Sequence, residues 1–253
     1  MGVERAPVVE RLTVEVKDVA LRAGADLVGV VSAETADSMP RIWVGWTIQK
    51  FSKRATEILA TAKSIVVLGF HIYDEAFNVA TRRDDGWEYL GYYPLLLQTR
   101  RVMLFLRERG YKAVIFPSTL PIKRLAQAAG LGSFGKNSLI INPEFGPWIF
   151  LSAVLTDAQL KPDPPFEEDL CGDCERCIEA CPTGALTPYK VDDLKCLVGI
   201  SLGRLKSPKY AELFRRYRGL FERYEPRLTE RSHLMCMECL KACRYGFSNR
   251  GRV

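Results

Sequence analysis

The stretch "CGDCERCIEACPTGAL", residues 171–186, holds four cysteines in sixteen residues, with a proline directly after the last cysteine. Its spacing is C-x2-C-x2-C-x3-C-P, and thiolates in such a run are typical ligands of iron–sulfur clusters. C-x2-C pairs also bind structural zinc, but a zinc site does not require three thiolates at this spacing followed by Cys-Pro. The stretch therefore predicts an iron–sulfur protein.

The other cysteines extend this pattern into two sets of four. "CMECLKAC" (236–243) has the spacing C-x2-C-x3-C, and one further cysteine stands alone between the two stretches. In bacterial ferredoxins with two clusters, the fourth cysteine of the run binds the other cluster. The interpretation is therefore two crossed 4Fe–4S clusters, one on Cys171, Cys174, Cys177 and Cys243 and the other on Cys181, Cys196, Cys236 and Cys239.

Composition indicates an ordinary globular protein in a reducing compartment. The chain has 253 residues, is 47% apolar and carries a net charge of +6. It has no apolar run of the ~20 residues that a membrane span needs, and its first residues lack the apolar stretch of a signal peptide. Because all the cysteines are clustered near the C-terminal end rather than scattered, a disulfide framework is disfavoured. We expect a cytoplasmic protein with no membrane partner.

The apolar pattern of the first 160 residues predicts alternating helices and strands. Helical spacing covers 8–23 and 92–110, and β-branched apolar runs occur at 64–73 and 138–157, the latter broken by a turn. The proline-rich acidic segment 161–170 has the composition of a linker. We therefore predict an α+β fold with two domains, at residues 1–160 and 161–253.

The glycine-rich loop "GLGSFGKNS" (130–138) formally contains G-x-G-x-x-G. A dinucleotide-binding fingerprint follows a strand and opens a helix, whereas this loop follows a predicted helix and precedes a strand. It also lacks the Ser or Thr that follows the lysine of a phosphate-binding P-loop, because Asn137 stands there. The glycines therefore favour a tight turn or the close approach of a large flat ligand.

Several motifs together resemble epoxyqueuosine reductases and their relatives, the reductive dehalogenases. "RLAQAAGLGSFGKNSLII" (124–141) is followed by the two cysteine stretches, and "GADLVGVVSAE" (24–34) and "AKSIVVLGFHIYD" (62–74) match upstream in the same order. The resemblance implies a nitroreductase-like α+β domain that binds cobalamin, followed by a ferredoxin-like domain with two 4Fe–4S clusters. Candidate corrinoid contacts in the glycine loop are Gly132, Gly135, Lys136 and Asn137.

The resemblance also implies a reductase that takes electrons from a low-potential donor, a ferredoxin or flavodoxin. Two departures from the family argue against tRNA as the substrate and favour a small molecule or a modified nucleoside. Ser118 stands where the family has its proposed proton-donating aspartate, and the sequence stops at Val253 without the helical-repeat extension that holds tRNA. Tyrosines beside a cation are the candidate replacements for the donor, as in the related dehalogenases, and we name Tyr89, Tyr92 and Tyr93 with Lys123.

Two alternatives remain open at the level of sequence. The segment 201–231 contains nine Lys/Arg and four acids, so it could dock an acidic partner, and the chain would then be an electron-transfer protein that reduces a corrinoid protein. A flavin could also replace the corrinoid in the first domain. His233, three residues before Cys236, is a candidate for tuning a cluster through a hydrogen bond to sulfur.

Overall fold

The computed structural model describes residues 5–44, 50–72, 75–84, 87–115, 119–203 and 207–247. Its helices are α1 (Arg5–Arg22), α2 (Ala33–Ser38), α3 (Ala55–Ile58), α4 (Tyr92–Glu108), α5 (Ile122–Ala128), α6 (Arg176–Glu179), α7 (Leu197–Gly203), α8 (Pro208–Arg216), α9 (Arg218–Tyr224), α10 (Glu238–Lys241) and α11 (Arg244–Phe247), with a 3-10 turn at Glu75–Asn78. Its strands are β1 (Leu27–Ser32), β2 (Trp43–Val44), β3 (Lys50–Phe51), β4 (Ser64–His71), β5 (Val79–Arg82), β6 (Trp87–Tyr89), β7 (Ala113–Ile115), β8 (Ser133–Phe134), β9 (Ile140–Ile141), β10 (Ile149–Thr156), β11 (Leu186–Thr187), β12 (Lys190–Val191), β13 (Arg227–Thr229) and β14 (Ser232–Leu234).

The central sheet has the strand order β1-β4-β10-β7, and each neighbouring pair is antiparallel. Its two middle strands, β4 and β10, are buried along nearly their whole length. Continuous apolar runs are needed here because helices cover both faces of the sheet, so neither face can alternate with polar residues. The two runs predicted to be strands, 64–73 and 138–157, supply these positions.

Side chains of β4 alternate between two hydrophobic clusters, one on each face of the sheet. Val66 and Leu68 pack with α1 and α4 on one face, whereas Ile65 and Val67 pack with α5 on the other. Each is fully buried, and burying a side chain of this kind stabilises the fold by about 1.5–3 kcal/mol. The helix–sheet–helix arrangement confirms the prediction of a mixed α+β fold.

A close backbone approach fixes α5 against the edge of the sheet. A Cβ atom at Gly29 of β1 would lie 2.1 Å from the carbonyl oxygen of Ala129, so the glycine allows the contact. Gly130 follows the C-terminal end of this helix, and its φ of +78° suits the left-handed position there. The glycine-rich loop after α5 is therefore held directly over the sheet.

A second sheet, β13-β14-β5-β6, combines strands from distant parts of the chain. His233 of β14 lies opposite Ala80 of β5, and Ala80 lies opposite Tyr89 of β6. This sheet joins segments from both sides of residue 160, where the sequence predicts a domain boundary. The division into two domains stays a prediction. The segment 161–170 also contacts the first part of the chain, because Asp163 accepts a hydrogen bond from the backbone N–H of Val30.

Within the part of the chain that the structure describes, the helices lack the combination of length and hydropathy that a membrane span requires.

Candidate redox site

The two cysteine stretches form matching turns that pack against each other. Short helices α6 and α10 each carry a cysteine in second position, Cys177 and Cys239, and the two helices are in contact. The residues that end them, Ala180 and Ala242, have nearly the same backbone angles, with φ −75° and ψ −10° in one and φ −76° and ψ −14° in the other. The repeated spacing of the sequence is therefore a structural repeat.

One group of four cysteines, which we call the outer group, consists of Cys171, Cys174, Cys177 and Cys243. The pKa of Cys177 is raised to about 11, mainly by burial and then by the thiols of Cys171, Cys243 and Cys174 in that order. Cys243 comes from the second stretch, so this group crosses between the two stretches, as the ferredoxin spacing predicts. Gly172 is exposed, which puts the group near the surface.

The remaining cysteines form the inner group. Burial raises the pKa of Cys239 well above its usual value, followed by the charges of Cys196, Cys236 and Cys181. Burial likewise raises the pKa of Cys236 to about 12 and that of Cys196 to about 11. Cys177 of the outer group also raises the pKa of Cys239, although less than the three inner thiols do. The two groups are therefore neighbours.

Backbone N–H groups point at several of these sulfur atoms. Lys136 donates its backbone N–H to Sγ of Cys171 over 3.4 Å, and Ala185 donates to Sγ of Cys181 over 3.3 Å. Hydrogen bonds of this kind stabilise thiolate charge and are one of the determinants of cluster potential. Among the described residues, no group of three or more His, Cys, Asp or Glu side chains has the geometry of a single-metal-ion site.

A cavity of about 550 Å³ borders the inner group. All four inner cysteines line it, and most of its other walls are apolar or aromatic. Tyr92 of α4 stacks on Phe150 with ring centroids 4.7 Å apart, which makes part of the wall rigid. The cavity therefore places an apolar binding space directly beside one set of four thiols.

The predicted catalytic residues all line this cavity. Burial raises the pKa of Tyr89 well above its usual value and that of Tyr92 to about 12. Tyr93 is 46% exposed, and a hydrogen bond to Glu88 raises its pKa. The assignment of these residues as catalytic stays a prediction.

Lys123 is the predicted cation, and its Nζ donates a hydrogen bond to the carbonyl oxygen of Ser138 over 2.8 Å. Burial lowers its pKa, and the thiols of Cys239 and Cys196 partly offset the shift. These interactions place Lys123 near the inner group.

The glycine loop divides between the cavity and the outer group. Of the four predicted corrinoid contacts, Asn137 lines the cavity. Lys136 instead faces the outer group. Its backbone N–H donates a hydrogen bond to Sγ of Cys171, and its Nζ lies 3.5 Å from Oε1 of Glu175. Gly132 and Gly135 are not among the cavity-lining residues, and added Cβ atoms there would lie 2.4 Å and 2.7 Å from atoms of Ile141. Ser118 lies outside the described residues.

Two residues of the site were missed from the sequence. Asn78 is 7% exposed, lines the cavity, and its Nδ2 has no hydrogen-bond partner among the described residues. Glu225 is 5% exposed and accepts a hydrogen bond from the backbone N–H of Cys236. Asn78 ends a short turn, and Glu225 sits in a charged segment that looks solvent-exposed, so neither has a local signal that could have identified it.

Known proteins resemble this chain in the first cysteine stretch and over most of its length. The family model described as "4Fe-4S binding domain" matches residues 164–187. The epoxyqueuosine reductase of Leadbetterella byssophila is 32% identical over 205 residues, covering 72% of this chain and 67% of the relative. The chain spans about 56% to 67% of the length of the first curated relatives it matches.

Solved structures share the fold. A crystal structure of epoxyqueuosine reductase with an epoxyqueuosine-modified tRNA-Tyr stem loop superposes with a TM-score of 0.67 at 21% identity, over 93% of this chain and 65% of that one. A reductive dehalogenase, described with a mechanism for B12-dependent dehalogenation, superposes with a TM-score of 0.63 at 17% identity, over 95% of this chain and 33% of that one.

The fold and the matched cluster domain define an iron–sulfur oxidoreductase. The Leadbetterella protein is 32% identical to this chain, and the match covers 67% of that protein. The chain therefore belongs to the epoxyqueuosine reductase family. The resemblance drawn from the sequence motifs is confirmed.

Proposed function

We propose that the chain is a reductase that carries two 4Fe–4S clusters and binds a cobalamin in the cavity beside the inner group. The outer group of cysteines would hold one cluster and the inner group the other. The observation that carries the proposal is the position of the inner group, because Cys181, Cys196, Cys236 and Cys239 form part of the cavity wall. A cluster on these thiols would be next to whatever occupies the cavity.

The cysteine groups fit clusters better than single ions. Each group contains four thiols brought together from both cysteine stretches, with backbone N–H donors directed at Cys171 and Cys181. Four sulfurs can also bind zinc, but the spacing C-x2-C-x2-C-x3-C-P is typical of iron–sulfur clusters, and the 4Fe–4S binding domain matches this stretch. Iron–sulfur clusters supply centres that accept and release single electrons.

The cavity has the composition expected for a corrinoid site. Its walls are mostly apolar, with a few polar atoms that can fix a ligand's orientation. Nδ2 of Asn78 and the hydroxyl of Tyr89 are buried there without hydrogen-bond partners among the described residues. A buried polar atom without a partner destabilises the fold unless a ligand or water forms a hydrogen bond with it. The amide groups around a corrin ring are suitable partners. Cobalamin, when bound, supplies a redox-active cobalt centre.

The positions of the two cysteine groups support electron transfer from the outer group to the inner group. The outer group lies near the surface, where a ferredoxin or flavodoxin can approach, whereas the inner group borders the cavity. The coupling between Cys177 and Cys239 supports close spacing of the two clusters. Electrons would therefore enter at the outer group and leave toward the cavity from the inner group.

Tyr89 is the best candidate for the proton donor. Its hydroxyl is buried in the cavity wall and has no hydrogen-bond partner in the described part of the chain. Because its pKa is raised well above the usual value of a phenol, the proton remains on the oxygen at neutral pH and is available to a substrate. Tyr92, Tyr93 and Lys123 would shape the cavity, and Asn137 would contact the ligand from the glycine loop.

The substrate class that the family supports best is a modified nucleoside, and a small molecule of similar size is the alternative. One relative has been crystallised with a modified tRNA stem loop, so we include tRNA in the test. The sequence-based expectation against tRNA stays a prediction, since Ser118 lies outside the described residues.

The test begins with anaerobic purification, followed by iron, sulfide and cobalt analysis and absorption spectra before and after addition of cobalamin. About eight irons and spectral change on stoichiometric cobalamin uptake would support the proposal. Eight irons with no uptake, and a bound flavin instead, would overturn the cobalamin assignment. Turnover assays with the free modified nucleoside and with the tRNA stem loop then separate the two substrate forms.

A further inference from the structure

A buried carboxylate lies beside the inner group and has no role in the function proposed above. The side chain of Glu225, which follows α9, is 1% exposed. Its Oε1 accepts the backbone N–H of Cys236 over 3.2 Å. Its Oε2 lies 3.4 Å from Nε2 of His233, a neighbour that is charged only when protonated. The carboxylate is therefore anchored directly to an inner cysteine.

The surroundings connect this carboxylate to the cavity as well. The ring of His233 meets Trp87 edge-on at 4.8 Å, and Trp87 lines the cavity. After burial, the charge of Glu225 is among the causes that raise the pKa of Cys196 and Cys236. The charge of Glu225 also contributes to the raised pKa of Tyr89. Two inner thiols and the candidate proton donor therefore lie within reach of its field.

A charge in this position affects electron transfer more than a surface charge would. Water and salt screen exposed charges strongly, whereas a buried charge is screened much less. A negative charge near an iron–sulfur cluster disfavours the addition of an electron, and local charge is one of the factors that set cluster potentials. An unscreened carboxylate at Cys236 would make the reduced cluster a stronger reductant.

We propose that Glu225 lowers the reduction potential of the cluster held by the inner group. The inference rests on the cluster assignment made above. The role expected for His233 from its sequence position stays a prediction. Glu225 is thus a positioning and tuning residue, and the cavity ligand does not touch it.

The test compares Glu225→Gln with the wild-type protein by redox titration followed by EPR. Gln keeps the shape and an oxygen that can accept the Cys236 N–H, but it removes the charge. We expect the inner cluster to become easier to reduce by at least tenfold, which for one electron corresponds to about 59 mV. The outer cluster, identified by its absence in Cys243→Ser, should keep its potential.

Glu222→Gln is the matched control. Glu222 lies on the neighbouring helix α9, its side chain is 67% exposed, and it pairs with Arg218. Glu222→Gln removes the same charge, but from a side chain in solvent, so the reduction potentials of both clusters should remain unchanged. Iron and sulfide counts on each variant precede the titration. A wild-type protein without two clusters would refute the proposed function, whereas two clusters with no shift in Glu225→Gln would refute the tuning role alone.

Glu225→Asp provides a graded second variant. It keeps the carboxylate but withdraws it by one methylene, so the inner potential should lie between wild type and Glu225→Gln. If Glu225→Gln fails to assemble its inner cluster, Glu225→Asp decides the question, and an unchanged inner potential in that variant would overturn the proposal. An equal shift of both clusters would also overturn it, because the effect would then not be local to the inner group.

Discussion

Lys136 donates its backbone N–H to Sγ of Cys171 over 3.4 Å, so the glycine-rich loop is a support of the outer cysteine group. The neighbouring Gly135 has no room for a side chain, because an added Cβ would lie 2.7 Å from Cγ1 of Ile141 and 2.9 Å from Oδ1 of Asn137. The absence of a Cβ at this position therefore lets the loop carry Lys136 to the thiol.

We expect Gly135→Ala to displace the loop and weaken the outer cluster. Overpacking of this kind costs about 1–3 kcal/mol, and the displaced loop would lose the N–H bond to Cys171. Iron content and the melting temperature should both fall. Gly219→Ala is the control, since nothing lies within 4 Å of its added Cβ, and it should keep full iron content. Equal iron content in the two variants would contradict the prediction.

The two cysteine groups should be separable by mutation. Cys243→Ser should remove the outer cluster, and Cys239→Ser the inner one, each leaving about four of eight irons. With the outer cluster gone, cobalamin should still bind while its reduction by a ferredoxin slows strongly, because the entry point for electrons is lost. Iron analysis, EPR and cobalamin reduction rates measure this. Wild-type reduction rates in Cys243→Ser would rule out the order of electron transfer proposed here.

The core of the central sheet gives a prediction for stability. Leu68 of β4 is fully buried between the sheet and α1 and α4, so Leu68→Ala should lower the free energy of unfolding by about 2–5 kcal/mol. Leu97 of α4 is 65% exposed, and Leu97→Ala should change it by no more than about 0.5 kcal/mol. Denaturant unfolding of the two variants under anaerobic conditions measures the difference. Similar losses in both would contradict the placement of the core.

Much of the fold could be predicted from the sequence because its main elements have strong local signals. The strands β4 and β10 are continuous apolar runs, and α4 shows clear helical spacing. The second sheet could not be predicted in this way. Its strands have three or four residues each, and β13 is exposed along its length, so they are stabilised by pairing across the fold rather than by local pattern.

The same distinction applies to the candidate site. The crossed cysteine groups follow from spacing, since eight thiols in this order allow the ferredoxin arrangement. The orientation of the glycine loop depends on tertiary packing, so the sequence could not show that Lys136 faces Cys171 while Asn137 faces the cavity. Glu225 was counted among surface charges because burial is a property of the folded chain.

The proton donor provides the last prediction. Tyr89→Phe removes one hydroxyl from the cavity wall, and Tyr89 is buried against Tyr92 with ring centroids 5.7 Å apart, so the ring should remain in place. General acids typically contribute 10²–10⁴-fold, and we expect kcat to fall by about 100-fold or more. Cluster content and cobalamin binding should be unchanged. Tyr224→Phe, outside the cavity-lining set, should keep wild-type activity.

The pH dependence distinguishes chemistry from packing. Because burial raises the pKa of Tyr89 well above its usual value, the protonated form persists as pH rises past neutrality. The donor should therefore cause no loss of rate up to about pH 9, below the ordinary phenol pKa of about 10. A pH–rate profile of kcat measures this. A fall in rate between pH 7 and 9 that disappears in Tyr89→Phe would mean that Tyr89 acts as the acid but loses its proton at a lower pH than its burial implies. A rate that rises over this range and is flat in Tyr89→Phe would mean that Tyr89 acts in its ionised form, and would contradict its role as the acid.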